Sequence, residues 1–181
     1  MKRAYMLVTV VMLSAVLLLS CGETEKIENA YRIEELPLPS ELADSELDEC
    51  VAADGMIALF AKLDGEGYVL YSPDAESFNY LPLELELPDD AHFSCGGLAI
   101  GSDIIWLTVK ANWTDADGNY TSIGRIYCVA DGSVKLVCDE INCRGLAASG
   151  DKAVTVINGE LAIVSPDGTT ETLEYSETQM I

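Results

Sequence analysis

The sequence has few of the residues that catalytic and metal sites use. It contains a single histidine, His92, and no two cysteines in a C-x-x-C spacing. Zinc sites and redox-active cysteine pairs often show that spacing, and a Ser-His-Asp or Cys-His site needs a histidine beside its nucleophile. No glycine-rich phosphate loop opens a helix. We therefore predict no catalytic residue, no metal site and no cofactor, and we interpret the protein as not an enzyme.

Positive charge is also scarce. Ten lysine and arginine residues face 31 acidic residues, so the formal net charge is −21 at pH 7. Such a surface repels phosphate backbones, which excludes nucleic acid as a predicted partner. All acidic residues lie after Cys21. Because an anionic membrane surface repels them, we expect the folded part to project away from such a surface.

The N-terminus has the pattern of an export signal. Lys2 and Arg3 precede an apolar run from Ala4 to Leu19 that contains no charge. This arrangement is typical of a secretory signal peptide, and the run is slightly short for a permanent span, which needs roughly 20 residues. The run ends in Leu-Leu-Ser-Cys-Gly at residues 18–22, which resembles the lipobox of bacterial lipoproteins.

The lipobox predicts cleavage between Ser20 and Cys21 and a diacylglyceryl group on the Cys21 thiol. Two acyl chains hold a protein stably at a membrane, whereas one chain binds only marginally. We therefore predict a palmitate-bearing lipoprotein that is anchored at the extracytoplasmic face of the cell membrane. The alternative is an ordinary signal peptide followed by a cysteine that lies there by chance.

The rest of the chain predicts an all-β protein. After Cys50, short apolar runs alternate with turn residues, and no helical period is seen. The runs predict strands such as Met56–Leu63, Leu98–Ile100, Ile104–Ala111 and Ile123–Val129. Asp131-Gly132 and Asn158-Gly159 predict tight hairpin turns, because both residue types tolerate positive φ. Before Cys50, the paired prolines of Leu36-Pro37-Leu38-Pro39 favour an extended segment.

Three segments of the chain begin alike, around Cys50, Cys95 and Cys143. A repeat of ~40–50 residues with four strands each is typical of a propeller blade. We predict repeated four-stranded antiparallel meanders, a partial β-propeller of about three blades. The predicted parts are a signal peptide, an acidic tether with an extended lead-in, and three repeats, which cover residues 1–20, 21–49, 50–94, 95–142 and 143–181.

Closed propellers have ~4–8 blades, and terminal repeats need a cap. The third repeat has no capping element after its last predicted strand. One hypothesis is that repeat 3 is truncated and that the chain is the N-terminal piece of a longer protein. The other is a complete small β protein, such as a sandwich of three meanders.

The residues of the lipobox, Tyr31 with the Leu-Pro-Leu-Pro segment, and Leu161–Gly168 resemble the N-terminal part of extracellular solute-binding lipoproteins of clostridia-like bacteria. In that family a propeller-like region precedes a domain that delivers solute to an ABC transporter. The resemblance implies a non-enzymatic binding module with a small solute as partner. The solute-binding lobes would follow residue 181, so no ligand residue is carried over. A second resemblance, to the propeller lipoprotein that scaffolds outer-membrane protein assembly, implies a scaffold that binds envelope proteins.

Few individual residues suggest chemistry. Trp113 is the residue we predict to be an exposed aromatic contact, whereas Trp106 lies among apolar neighbours and is predicted to be in the core. We interpret Asp115–Asn119 as a hairpin turn, since a calcium loop would place ligands at Trp113 and Gly124. His92 is predicted to lie in a connection. Five cysteines remain after Cys21, and we interpret most of them as small buried apolar residues.

Overall fold

A computed structural model describes residues 37–173, and these form an all-β protein with twelve strands in three four-stranded antiparallel sheets. Each sheet is a meander in which neighbouring strands follow one another in the chain. We call the sheets blade 1, blade 2 and blade 3. The predicted fold class is confirmed, while the signal peptide and most of the tether lie outside the described residues.

The strands have the following bounds. Blade 1 consists of β1 (Glu46–Ala53), β2 (Met56–Leu63), β3 (Glu66–Ser72) and β4 (Asn79–Leu83). Blade 2 consists of β5 (His92–Ile100), β6 (Ile105–Thr114), β7 (Tyr120–Ala130) and β8 (Ser133–Ile141). Blade 3 consists of β9 (Cys143–Ser149), β10 (Lys152–Ile157), β11 (Glu160–Val164) and β12 (Thr170–Thr172). Within residues 37–173, no helix has the length and apolar character that crossing a membrane requires.

Tight turns hold the strands in register. Asp131 and Gly132 both have positive φ, 51° and 69°, and the flanking Ala130 and Ser133 are paired. Asn158-Gly159 has the same geometry. Both predicted hairpin turns are thus confirmed, because two positive φ angles match the right-handed twist of the strands.

The first strands of the blades lie next to one another, with β5 between β1 and β9. The Asp48 carboxylate accepts a hydrogen bond of 2.8 Å from the Cys95 backbone N–H, which joins β1 to β5. The Ser102 N–H donates to the Gly150 carbonyl over 2.8 Å and joins blade 2 to blade 3. These contacts place β1, β5 and β9 as the inner strands of a propeller-like arc.

Apolar residues fill the two interfaces between blades. Phe60 and Val69 of blade 1 pack with Leu107 and Tyr127 of blade 2. Trp106, which is fully buried, packs with Ile126, Ala153 and Val164 between blades 2 and 3. The prediction of a core position for Trp106 is confirmed. The middle strands of blade 2 are the most enclosed, because that blade lies between blades 1 and 3.

The segment before β1 covers the remaining face of blade 1. After Pro39 the chain makes a single 3₁₀ turn, Ser40–Leu42, and the Leu42 side chain is 1% exposed. Leu42 packs with Leu59, Ala61 and Leu70 in a third buried cluster. The lead-in therefore caps the first blade, as terminal units of repeat proteins require.

The inner strands differ most from the sequence-based prediction. No strand was predicted over β1 or β9, and only the end of β5 was predicted, at Leu98–Ile100. Blade 1 thus begins at Glu46, before Cys50, and blade 2 begins at His92, before Cys95. His92 was expected in a connection but is the first, exposed residue of β5. These strands escaped prediction because many of their residues are exposed or small, which removes the apolar alternation.

Candidate functional site

A cleft lies at the outer side of the interface between blades 1 and 2. Its volume is about 350 Å³. One wall comes from β4 and the segment after it, and the other comes from β7 and β8. Because the two walls belong to different sheets, residues far apart in the sequence meet there. We call this cavity the outer cleft.

The segment after β4 contributes two glutamates to the wall of the outer cleft. Leu83 and Leu85 are buried in the interface between blades 1 and 2, whereas Glu84 and Glu86 alternate with them and are exposed in the cleft wall. This alternation is what an extended backbone produces. Glu86 has a φ of 43°, which is uncommon for a residue other than glycine.

Arg125 lies on β7 in the opposite wall. Its Nε donates a hydrogen bond of 2.6 Å to Asp139 Oδ1 on β8, and its side chain is 12% exposed. Burial is the largest single influence and by itself would lower the pKa of Arg125, but the neighbouring Asp139 and Tyr127 together outweigh it and the pKa is raised. The guanidinium is therefore charged and held in one position, with further N–H groups beyond Nε that a ligand could use.

Tyr127 is the second polar residue of that wall. Its side chain is 2% exposed and its ring packs between blades 1 and 2. The hydroxyl is buried and makes no hydrogen bond of good geometry within residues 37–173, although the Arg125 guanidinium lies beside it. Burial raises the pKa of Tyr127 more than Arg125 lowers it, so the hydroxyl keeps its proton. Buried polar groups normally have a partner, and Tyr127 is one of the residues that line the outer cleft.

The remaining lining of the outer cleft is apolar. Leu81 and Pro82 line it from blade 1, and Val134 and Leu136 line it from β8. Leu136 is 42% exposed, which is high for a leucine on a sheet. The cleft thus combines hydrogen-bond donors, three acidic residues and an apolar wall, and small-molecule sites use such polar groups to orient a ligand.

Of the predicted site residues, Ser20 and Cys21 lie outside the described residues, whereas Trp113 is among them. Trp113 lies on β6 opposite Thr121, where it is half-buried. It lines a second cavity of about 530 Å³, which shares Glu86 and Arg125 with the outer cleft. Sequence reasoning missed Arg125 and Tyr127, although the scarcity of arginine was a signal that could have drawn attention to Arg125.

The Asp115–Asn119 segment is a turn, as predicted. The Asp115 carboxylate accepts hydrogen bonds from the backbone N–H groups of Asp117 and Asn119, over 3.0 and 2.8 Å. These bonds hold the pKa of Asp115 below its usual value. Within residues 37–173, no group of three histidine, cysteine or acidic residues is placed to hold a metal ion.

The cysteines of the described residues form no disulfide. Cys128 and Cys143 are buried, Cys95 and Cys138 are half-buried and Cys50 is exposed, so the interpretation of most cysteines as buried holds fully for two of the five. Burial raises the pKa of Cys95 to about 12. A thiol with so high a pKa is a poor nucleophile near neutral pH.

No family model and no curated protein sequence matches this chain. Among solved structures, the chain is similar to the crystal structure of the tricorn protease, with a TM-score of 0.43 and 18% sequence identity. The similarity covers 71% of this chain and 13% of that chain. This chain therefore spans a small part of the protein that it matches.

Proposed function

We propose that this protein is a lipid-anchored, extracytoplasmic binding module without catalytic activity. The observation that carries the proposal is the lipobox at residues 18–22, followed after a short acidic segment by blades with an open outer cleft. An anchored module of this kind presents a ligand site to the space outside the cell membrane. In the version that the family resemblance supports, the module belongs to a solute-binding protein of an ABC transporter.

The chemistry of the outer cleft supports binding rather than catalysis. The lining offers charges, a phenol and apolar side chains, and the single histidine of the chain, His92, is not among the residues that line it. Acyl transfer and similar reactions need a nucleophile with a base beside it. Arg125, fixed by Asp139, and the protonated Tyr127 are groups that orient a ligand.

A second candidate function, an interaction scaffold of the cell envelope, is favoured by one observation. Blade 3 turns an apolar face away from blade 2, and Leu161 on that face is 37% exposed. Apolar surface of this kind is a common feature of protein contacts. Size-exclusion chromatography with light scattering separates the two functions, because a scaffold of this type assembles whereas a solute-binding module stays monomeric in detergent.

The lipid anchor is tested by labelling with an alkyne analogue of palmitate in a bacterial host. We expect Cys21→Ala to remove the label and to leave an uncleaved or released protein. The matched control is Cys50→Ala, because Cys50 is exposed and its loss leaves the lipobox intact. This control should keep the label. Equal labelling of wild type and Cys21→Ala would refute the anchor.

A further inference from the structure

We propose that the outer cleft binds a small zwitterionic solute of amino-acid size with an apolar side chain. In this arrangement the carboxylate of the solute lies against Arg125 and Tyr127, and its ammonium group lies against Glu84 and Glu86. The inference rests on the proposed binding function and names the class of ligand for it.

The donor side of the outer cleft is already fixed without a ligand. Asp139 Oδ1 accepts a hydrogen bond of 2.6 Å from Arg125 Nε, and the guanidinium carries further N–H groups besides this one. The Tyr127 hydroxyl is buried and protonated, and it makes no hydrogen bond of good geometry in the described part of the chain. A carboxylate accepts from a guanidinium and from a phenol at the same time, so one ligand group satisfies both.

The charged residues that line the outer cleft disfavour a ligand that carries only negative charge. The lining of the outer cleft carries one cation, Arg125, and three carboxylates, Glu84, Glu86 and Asp139. A ligand with only a negative charge would be repelled by the two glutamates, and the protein as a whole carries a net charge of −21. A ligand with only a positive charge would leave the Tyr127 hydroxyl without an acceptor. A zwitterion offers a carboxylate to Arg125 and Tyr127 and an ammonium group to the two glutamates.

Size and polarity limit the rest of the ligand. The cleft volume of about 350 Å³ lies at the lower end of the range for small-molecule sites, about 300–1,000 Å³. Leu81, Val134 and Leu136 line the remaining surface. An aliphatic side chain would bury the exposed part of Leu136, whereas a charged one would not. We therefore expect leucine and similar amino acids to bind better than aspartate or lysine.

The backbone of Glu86 supports a role for its carboxylate. A φ of 43° costs free energy for any residue except glycine, and such conformations often occur at ligand sites. Glycine would adopt this angle without strain. Glu86 nonetheless occupies the position, between the outer cleft and the cavity that Trp113 lines. This placement points to a function for the side chain at the cleft.

The test is isothermal titration calorimetry on the full-length chain in detergent with three related probes. Leucine has both charged groups, 4-methylpentanoate lacks the ammonium group, and 3-methylbutylamine lacks the carboxylate. We expect leucine to bind at least about tenfold more tightly than either analogue, a difference that calorimetry resolves readily. Equal affinity for all three probes, or no saturable binding of leucine, would overturn the proposal.

Two variants locate the binding at the outer cleft. Tyr127→Phe removes the buried hydroxyl, and Glu84→Gln removes one exposed carboxylate without disturbing the core. Both should weaken leucine binding by about fivefold or more, as expected for the loss of a hydrogen bond to a charged group. Glu171→Gln on β12 is the matched control and should leave the affinity for leucine unchanged. Unchanged binding in Glu84→Gln would contradict the assignment even if Tyr127→Phe failed to fold.

The two proposals can fail separately. Palmitate labelling of Cys21 reports the anchor and does not depend on any ligand. If the label is present and leucine does not bind, the ligand class is wrong and the anchored module stands. If leucine binds but Cys21→Ala keeps its label, the cleft assignment stands and the anchor is wrong.

Discussion

Blade 1 and blade 3 each turn one face away from blade 2, and both faces carry alternating apolar residues. On blade 1, this leading face includes Leu59, Ala61 and Leu70, which are buried beneath Leu42. On blade 3, the trailing face includes residues of the paired strands β10 and β11, namely Val154, Val156, Leu161 and Ile163. These belong to none of the buried clusters of residues 37–173, and they are half-buried or exposed.

The difference shows that the sheet pattern alone does not make a core. Both faces follow the period of two that places alternate side chains on one side of a strand. The leading face becomes a core because the lead-in lays Leu38 and Leu42 over it. At blade 2, neighbouring blades provide that cover on both faces. A short capping segment can thus cover the face that a neighbouring blade would otherwise bury at one end of the arc.

The largest expected change in the free energy of unfolding comes from removing a side chain that covers the leading face. Leu42→Ala removes a side chain that is 1% exposed, and we expect it to lower the free energy of unfolding by about 2–4 kcal/mol. The matched change on the trailing face, Leu161→Ala, removes a side chain that is 37% exposed and should cost less than about 1 kcal/mol. Urea unfolding of both variants measures the difference. Similar losses for the two would mean that the trailing face is covered in solution.

A smaller effect on the free energy of unfolding is expected from two buried threonines, Thr155 in blade 3 and Thr108 in blade 2. The Thr155 hydroxyl donates to the Gly145 carbonyl over 2.6 Å, whereas the Thr108 hydroxyl donates to the Gly97 carbonyl over 3.4 Å. Both threonines are buried. Thr155→Val should therefore cost about 1 kcal/mol, and Thr108→Val should cost a smaller part of that. Urea unfolding again provides the measurement, and a larger loss for Thr108→Val would reverse the expected order.

The smallest effect concerns a turn that the two end blades share. Ser-Pro-Asp occurs at residues 72–74 and 165–167, and each aspartate accepts a backbone N–H two residues further on, at Glu76 and Thr169. These bonds lower the pKa of Asp74 and of Asp167. The stability that each carboxylate contributes is present above its unfolded-state pKa and is lost as the pH falls through the lower folded-state pKa.

Titration of both carboxyl groups by NMR measures this pH dependence. We expect Asp74 and Asp167 to titrate below the ordinary aspartate range, and Asp167→Asn to remove the contribution of that site in acid. An ordinary pKa for Asp167 together with a low one for Asp74 would mean that the turn of blade 3 is less ordered than that of blade 1.

Local chemistry made part of the fold predictable. The predicted strand Met56–Leu63 has the same bounds as β2, because a buried middle strand is a continuous apolar run between turn residues. The hairpin β6–β7 is longer than predicted and extends to Thr114 and Tyr120, since its polar end pairs without an apolar pattern. The inner strands β1 and β9 were missed for a related reason, because many of their residues are exposed or small.

The candidate site was not predictable in the same way. Glu84 and Arg125 are far apart in the sequence, and neither belongs to a motif with a known chemical role. They share a cleft because Leu83 and Leu85 pack into the interface with blade 2 and so bring the segment that carries Glu84 beside β7 and β8. Trp113, which the sequence suggested, lies in the neighbouring cavity beside the same Arg125.

The sequence by itself determined the all-β character, the order of the strands within each meander and the places of its hairpin turns, because these depend on φ preferences and on residues close together in the chain. It also carries the lipobox that predicts the anchor at Cys21. The tertiary structure alone decided which blade face the lead-in covers and which polar groups meet in the outer cleft. Those outcomes depend on contacts between residues that are distant in the chain, and such contacts form only when the blades pack.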